Sequence, residues 1–297
     1  MATNAPRAVF VTRETDFELL VARHATRDQA RFFLETRGQN LAVVEQRHER
    51  FQLTLKTARS CIPEEWRQAS VRRADFDRFL FGPEDVVIAV GQDGLIANVA
   101  KYLDGQAVLG VNSAPDVYDG VLMRVPLARL ASILRANLAG AAKVEQRTMV
   151  EARLESGEHL LALNEVFVGH RSHQSARYRI SVGGKAEDHS SSGLIVASGT
   201  GATGWARSIM ETSGVNLALA PEERAVACFV REPFPSVATG TKLRVSKISA
   251  GEITVTSRMN DGGVIFADGI EQDFLNFDWG RTARLAPAQR RLRLVVG

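Results

Sequence analysis

The chain has 297 residues, of which 45% are hydrophobic, 24% charged and 7% aromatic, and a single core stops growing near ~250–300 residues, so two domains are expected. Its apolar runs, such as Val86–Val90 and Leu194–Ala197, fall short of the ~18–20 residues of a membrane-spanning helix, and Met1–Arg7 lacks a signal-type apolar core. A soluble, cytoplasmic protein with no membrane partner is therefore expected. The net charge of +3 gathers partly in Arg281, Arg284, Arg290, Arg291 and Arg293 without interleaved aromatics, which argues against nucleic acid and suits small polyanions.

In chain order, Arg7–Val11 reads as a strand ending at Thr12, and Asp16–Arg37 as a helical region closed by Gly38, with Thr15 and Asp16 as cap candidates. Leu41–Ala69 continues as a mainly helical stretch interrupted by Pro63. Val71–Ala74 is a short strand and Phe76–Phe81 a short helix or turn. Val86–Val90 is a strand that stops at Gly91-Gln92-Asp93-Gly94, after which Leu95–Leu103 reads as helix and Ala107–Asn112 as strand. Strands alternating with helices mark a parallel sheet, so residues 1–125 are expected to form a doubly wound α/β domain.

After Pro126 the texture changes. One amphipathic helix, Leu127–Leu138, is followed by short alternating stretches: Lys143–Leu154, Leu160–Val168, Tyr178–Val182, Leu194–Ser198, Ala225–Val230, Lys242–Ile248, Glu252–Ser257, Gly263–Ala267 and Leu292–Val296. Period-2 patterning between glycine turns predicts a β-rich domain over 126–280, with 281–297 as a basic segment packing back on the N-terminal domain. Cys61 and Cys228 lie in separate segments and are expected as reduced thiols, not a disulfide or zinc framework. His170 and His173 lack an acid or cysteine at ligand spacing and read as solvated loop residues.

Three segments carry chemistry. At Gly91–Gly94 a carboxylate, Asp93, is held where the chain leaves the sheet; glycines there admit φ > 0 and close approach of backbone N–H groups to an anion. Ligands of open α/β sheets bind past the carboxyl ends of strands, so Asp93 is a candidate base. Gly199-Thr200-Gly201-Ala202-Thr203-Gly204-Trp205 follows a strand, precedes a helix and contains G-x-G-x-x-G, a dinucleotide fingerprint that admits an oxidoreductase. Its surroundings are antiparallel in texture, however, and no acid ends the next strand at the expected distance. Asn164 and Glu165 place an amide and a carboxylate side by side in an apolar strand, either as a strand end open to solvent or with one side chain facing a core.

The order of these elements resembles the NAD kinase family: a strand into Gly-x-Asp-Gly, then Val-Leu-Gly-Val-Asn ending at Asn112, Leu-Asn-Glu-Val at 163–166, the threonine loop, and Asp268-Gly269. The mitochondrial-type branch is the nearest version, on Val11-Thr12-Arg13-Glu14-Thr15, Asn112-Ser113-Ala114-Pro115, Ser191-Ser192-Gly193 and Val230-Arg231-Glu232-Pro233. The resemblance implies an N-terminal α/β domain and a β-rich C-terminal domain with the active site between them, usually in a homodimer or higher homo-oligomer. It implies transfer of the γ-phosphoryl of ATP to the 2′-hydroxyl of the adenosine ribose of NAD, with Mg²⁺. Asp93 matches the base; Gly91, Gln92, Gly94 and Asn112 belong to the nucleotide-binding loops; Asn164 and Glu165 match the pair that binds NAD; and Thr200, Gly201, Ala202, Thr203, Gly204 and Trp205 match the loop holding the dinucleotide. The chain has no G-x-x-x-x-G-K-[ST] loop, so the glycine turn stands in for it. Gln92 replaces the family's second glycine of Gly-Gly-Asp-Gly, and Leu95 a common Thr or Ser. A catalytically weak NAD(P)-binding regulatory protein of the same fold is the alternative those departures raise.

Overall fold

The computed structural model describes residues 6–297, which divide into two compact units: the chain up to Glu145 with Arg293–Gly297, and Gln146–Leu292. The first unit runs β1 (Arg7–Thr12), α1 (Asp16–His24), α2 (Arg27–Glu35), α3 (Leu41–Ser60), β2 (Arg67–Arg72), β3 (Asp85–Gly91), α4 (Asp93–Ala100), β4 (Ala107–Asn112) and α5 (Leu130–Leu138). Every residue of β3 is buried, as expected of a strand covered on both faces. Its neighbours are parallel, in the order β2-β1-β3-β4, and residues 293–295 add a further parallel strand beside β4. Phe10, Ile88, Leu109 and Val111 of the sheet pack with Phe51, Trp66, Leu130 and Leu134. The chain builds outward from β1 to β2 on one side and from β3 to β4 on the other, so the strand order reverses between β1 and β3. Crevices at such a point, past the carboxyl ends of the strands, are where open α/β sheets bind ligands.

Several boundaries differ from the sequence reading, two of them for a reason visible in the chain. The single helical region expected over Asp16–Arg37 is two helices, because Ala25 takes φ +65° and Thr26 starts a new helix by accepting the Gln29 N–H at 3.2 Å. β2 begins at Arg67, inside the stretch expected to remain helical, once Pro63 has ended the preceding segment.

The second unit contains most of β5 (Lys143–Leu154), then β6 (His159–Ala162), β7 (Glu165–His170), β8 (Ala176–Val182), β9 (Lys185–Ser191), β10 (Leu194–Ala197), α6 (Trp205–Ser213), β11 (Val226–Val230), β12 (Val245–Ile248), β13 (Ile253–Ser257), β14 (Gly263–Ala267), β15 (Phe274–Asn276) and the greater part of β16 (Thr282–Val296). One antiparallel sheet has the order β12-β11-β10-β7-β14-β15. The start of β16, β13, β8 and β9 form another antiparallel set, and β5 pairs with β6. Val168, Val196, Cys228 and Ile265 of the six-stranded sheet meet Tyr178, Ile180, Val255 and Leu285 in a shared core. The other face of that sheet, Phe167, Ile195 and Phe229, is covered by Trp205, Ala206 and Ile209 of α6.

β9, Lys-Ala-Glu-Asp-His-Ser-Ser, was not expected as a strand: its pattern is almost wholly polar, with only His189 and Ser191 buried. Among the described residues, no helix is long and apolar enough to cross a membrane.

Gly110 of β4 is fixed by packing: a Cβ there would lie 2.6 Å from the Ile96 Cδ1 atom, 2.6 Å from the Leu122 carbonyl oxygen and 2.9 Å from the Met123 Cα. Backbone cannot yield as a side-chain tip can, so Gly110→Ala is expected to lower stability by roughly 1–3 kcal/mol in urea denaturation.

Candidate functional site

Asp93 is the first residue of α4, directly past the carboxyl end of β3. Its Oδ2 accepts the Val121 N–H and its Oδ1 the Leu122 N–H, both at 2.9 Å. The carboxylate is thus fixed by two backbone donors, with lone pairs left on each oxygen. Gly91 has φ +149°, which a side chain would strain, and a Cβ there would meet only Leu95 Cδ2 at 3.5 Å. Gly94 differs from expectation: it sits in the first turn of α4, is absent from the positive-φ residues, and has open space where a Cβ would be. Its glycine character matters for access, not for backbone conformation. Leu95 is 2% exposed and belongs to the core.

Gln92 precedes α4 in extended conformation and makes no cap hydrogen bond with its side chain. Its Oε1 instead accepts from Arg13 Nη2 at 3.0 Å. Arg13 follows β1 and Gln92 follows β3, so this bond joins the two strand ends where the sheet order reverses. Among the described residues the Gln92 amide nitrogen has no acceptor and remains to donate. Asn112 turns inward on its own loop: Nδ2 donates to the Tyr118 carbonyl at 2.8 Å and Oδ1 accepts the Ala114 N–H at 2.9 Å. Its side chain shapes the 113–120 segment that leads to Val121 and Leu122.

In the second unit, Asn164 and Glu165 settle the choice left open by their adjacency. The expected strand Leu160–Val168 breaks at 163–164, so Asn164 lies in a bend and Glu165 opens β7. The break is made by Asp268. Its Oδ2 accepts the Leu163 N–H at 2.9 Å, and its Oδ1 accepts the N–H groups of Asn164 at 2.7 Å and Glu165 at 3.3 Å. Asp268 holds φ +50° to do so and donates its own N–H to the Glu165 carbonyl at 3.0 Å. Ser198 completes the clamp, its Oγ donating to the Leu163 carbonyl at 2.5 Å and its N–H to the Asn164 carbonyl at 2.9 Å. The Asn164 and Glu165 side chains take no part in these bonds. Burial, and next the charge of Asp268, push the Glu165 carboxyl up to about 7. A carboxyl with a raised pKa and no hydrogen-bond partner among the described residues marks a candidate functional position.

The threonine loop locks onto the same turn. A Cβ on Gly201 would lie 2.1 Å from the Asn164 carbonyl oxygen, and one on Gly199 would lie 2.1 Å from the Ala220 carbonyl oxygen. Ser198 Oγ accepts the N–H groups of Thr200 at 3.1 Å and Gly201 at 3.3 Å. Thr200 is buried and its Oγ1 accepts from Arg147 at 3.3 Å, while Ala202 is half-buried and Thr203 and Gly204 are exposed. Gly199 and Gly201 therefore serve close packing of the polypeptide on itself. Both neighbours of β10, namely β7 and β11, are antiparallel to it, so the G-x-G-x-x-G segment does not open the parallel βαβ unit its dinucleotide reading requires.

Trp205 stands in a column: its ring stacks on Phe167 at 6.0 Å and 14°, Phe167 stacks on Phe266 at 4.7 Å, and the Arg231 guanidinium lies 4.9 Å from the Trp205 ring centre. The aromatic expected to meet a nucleotide thus already has a protein partner on Phe167 and another in Arg231. Asp268, Arg13, Arg147 and Arg231 contribute in roles that the local sequence pattern does not announce. Asp268, Arg13 and Arg231 stand in family motifs that leave their roles unspecified; Arg147, in an ordinary alternating strand, gives no signal.

No family model matches the chain. Among curated proteins, it is 33% identical over 132 residues to the NAD kinase of Burkholderia pseudomallei, covering 42% of this chain and 43% of that protein. It is 34% identical over 133 residues to the NAD kinase of Heliobacterium modesticaldum, covering 42% of this chain and 46% of that one. The chain thus matches less than half the length of these relatives. Among solved structures, yeast NADH kinase complexed with NADH aligns at 14% identity with a TM-score of 0.62, covering 100% of this chain and 85% of that one. An NAD kinase from Archaeoglobus fulgidus in complex with ATP aligns at 18% identity with a TM-score of 0.59, covering 97% and 93%. The fold of this protein, an α/β N-terminal unit and a β-rich second unit, is that of the NAD kinases.

Proposed function

We propose that the protein is an NAD kinase, transferring the γ-phosphoryl of ATP to the 2′-hydroxyl of the adenosine ribose of NAD to give NADP. The observation that carries this reading is the Asn164–Glu165 bend. A backbone fully engaged by Asp268 and Ser198 presents an amide and a carboxylate whose side chains are left for a ligand, and the resemblance assigns that pair to NAD. A carboxylate accepts the hydroxyls of a ribose and the amide adds donors as well. Asp93 takes the proton of the 2′-hydroxyl as the oxygen bonds to the γ-phosphorus and the bond to the ADP oxygen breaks. Positioning and charge stabilisation account for most of such a reaction, so a fixed base and donors to the phosphates suffice. Gly91, Gly94 and the free amide of Gln92 are the donors and openings at that turn, with Asn112 fixing the loop whose N–H groups hold Asp93.

Among the described residues, no group of three or more His, Cys, Asp or Glu could cage a metal ion. Mg²⁺ carried by ATP phosphates and water needs no such cage and neutralises phosphate charge when bound. We place the chain in the mitochondrial-type branch on the motifs quoted above, acting as a homodimer or higher homo-oligomer in the cytoplasm. A second reading, nucleotide binding without turnover, is favoured by the side chain that Gln92 brings into the turn.

Incubation with NAD, ATP and Mg²⁺ is expected to yield NADP. Asp93→Asn should remove at least ~10²-fold of that rate while NAD still binds. Tight NAD binding without NADP would select the second reading, and hydride transfer without ATP would refute the kinase.

Glu165 predicts a pH dependence. An ionised carboxylate is needed to accept ribose hydroxyls, so NAD affinity should rise by roughly tenfold between about pH 6 and pH 8, and Glu165→Gln should flatten the rise. Stability should move the other way. With the folded pKa raised, the native state keeps a proton the unfolded chain has lost, so stability falls as pH climbs from 4.5 to about 7 and levels off above. Glu165→Gln should remove that loss, stabilising the protein above pH 7 by up to roughly 3 kcal/mol in thermal or urea unfolding.

A further inference from the structure

An open cleft of about 510 Å³ lies in the first unit beside the ends of β1 and β2, and its polar lining is dominated by Arg13, Arg59, Arg72 and Arg78. Two carboxylates, Glu18 and Asp75, also line it. Arg72 reaches Glu14 and Glu18 only at 3.4 and 3.6 Å, and Arg59 is held by a neutral partner, donating to Ser70 Oγ at 2.7 Å. Among the described residues, Arg78 has no side-chain hydrogen bond or ion pair. Arg72 is thus paired, whereas Arg13, Arg59 and Arg78 have no carboxylate partner among the described residues; three such guanidinium groups around one concavity raise its positive potential, and guanidinium forks match phosphate oxygens in pairs. The place in the fold is also suited to a ligand, being at the carboxyl ends of parallel strands.

We propose that this cleft binds a linear phosphoanhydride chain, distinct from the substrate held at Asp93, and that it is coupled to the Asp93 turn through Arg13. Arg13 lines the cleft and donates to Gln92 Oε1, and Gln92 immediately precedes Asp93. A ligand that draws the Arg13 guanidinium into the cleft competes with that bond. Gln92, standing in place of a glycine, thereby ties the turn to a guanidinium that an anion can claim.

The site is tested by calorimetric titration of the full-length protein with inorganic tripolyphosphate, ATP and orthophosphate in turn. Tripolyphosphate and ATP should occupy the cleft with similar affinity and orthophosphate at least about tenfold more weakly. Arg59→Gln and Arg78→Gln, both exposed and outside the packed core, should each weaken tripolyphosphate about tenfold, the worth of a charge-assisted hydrogen bond, with unchanged melting temperatures. Asp93→Asn should leave that affinity unchanged, so loss of kinase activity and loss of this site are separable. Gln92→Ala should tighten binding a few-fold by releasing Arg13. Affinity that survives both arginine substitutions, or disappears with Asp93→Asn, overturns the site, as does binding of ATP without tripolyphosphate; unchanged affinity in Gln92→Ala overturns the coupling.

Discussion

The second unit depends on one carboxylate. Asp268 gathers three consecutive backbone N–H groups, those of Leu163, Asn164 and Glu165, and so converts what would be an unbroken buried strand into a bend. Buried backbone donors must be paired somewhere, and an ionised acceptor pairs them more strongly than a neutral one. Gly201 passes so close to the Asn164 carbonyl that no other residue fits, and Ser198 bonds both the bend and the threonine loop. The same carboxylate also contributes to the raised pKa of Glu165, so the structural and chemical roles of Asp268 are inseparable.

The first unit repeats the device with the roles exchanged. Here the carboxylate that accepts backbone N–H groups is the proposed catalytic one, Asp93, and the donors come from Val121 and Leu122 on the loop after β4. That loop is in turn held by Asn112 and pressed against Gly110. A base fixed in this way needs little reorganisation at the moment of reaction, which is the condition for efficient proton transfer in phosphoryl transfer.

The sequence made legible whatever rests on local pattern. The β-branched run Val86–Val90 with its glycine turn and the strand Ala107–Asn112 lie where local pattern puts them, most alternating stretches of the second unit carry strands, and the motif order led to the NAD kinase fold. Features built from distant partners were hidden. The bend at Asn164 is caused by a residue more than a hundred positions away, and period-2 patterning runs straight through it. β9 carries polar residues because its Glu187 accepts the N–H groups of Lys242 and Leu243, and so it has no strand signature. Ala25 breaks a helix without a glycine or proline to announce it. Gln92 was, with Leu95, a departure in the glycine loop; its meaning lies in Arg13, which only the parallel pairing of β1 with β3 brings alongside.

The proposed role of the Asp268-built bend in holding Asn164 and Glu165 for NAD can be read from the NAD affinity of Asp268→Asn. The substitution keeps the shape and removes the charge that gathers the three N–H groups. NAD binding should weaken by about tenfold or more, with the protein still folded and the midpoint of the Glu165-dependent pH profile shifted down because a neighbouring negative charge is gone. Unchanged NAD affinity and an unchanged pH profile in a folded Asp268→Asn protein would contradict it.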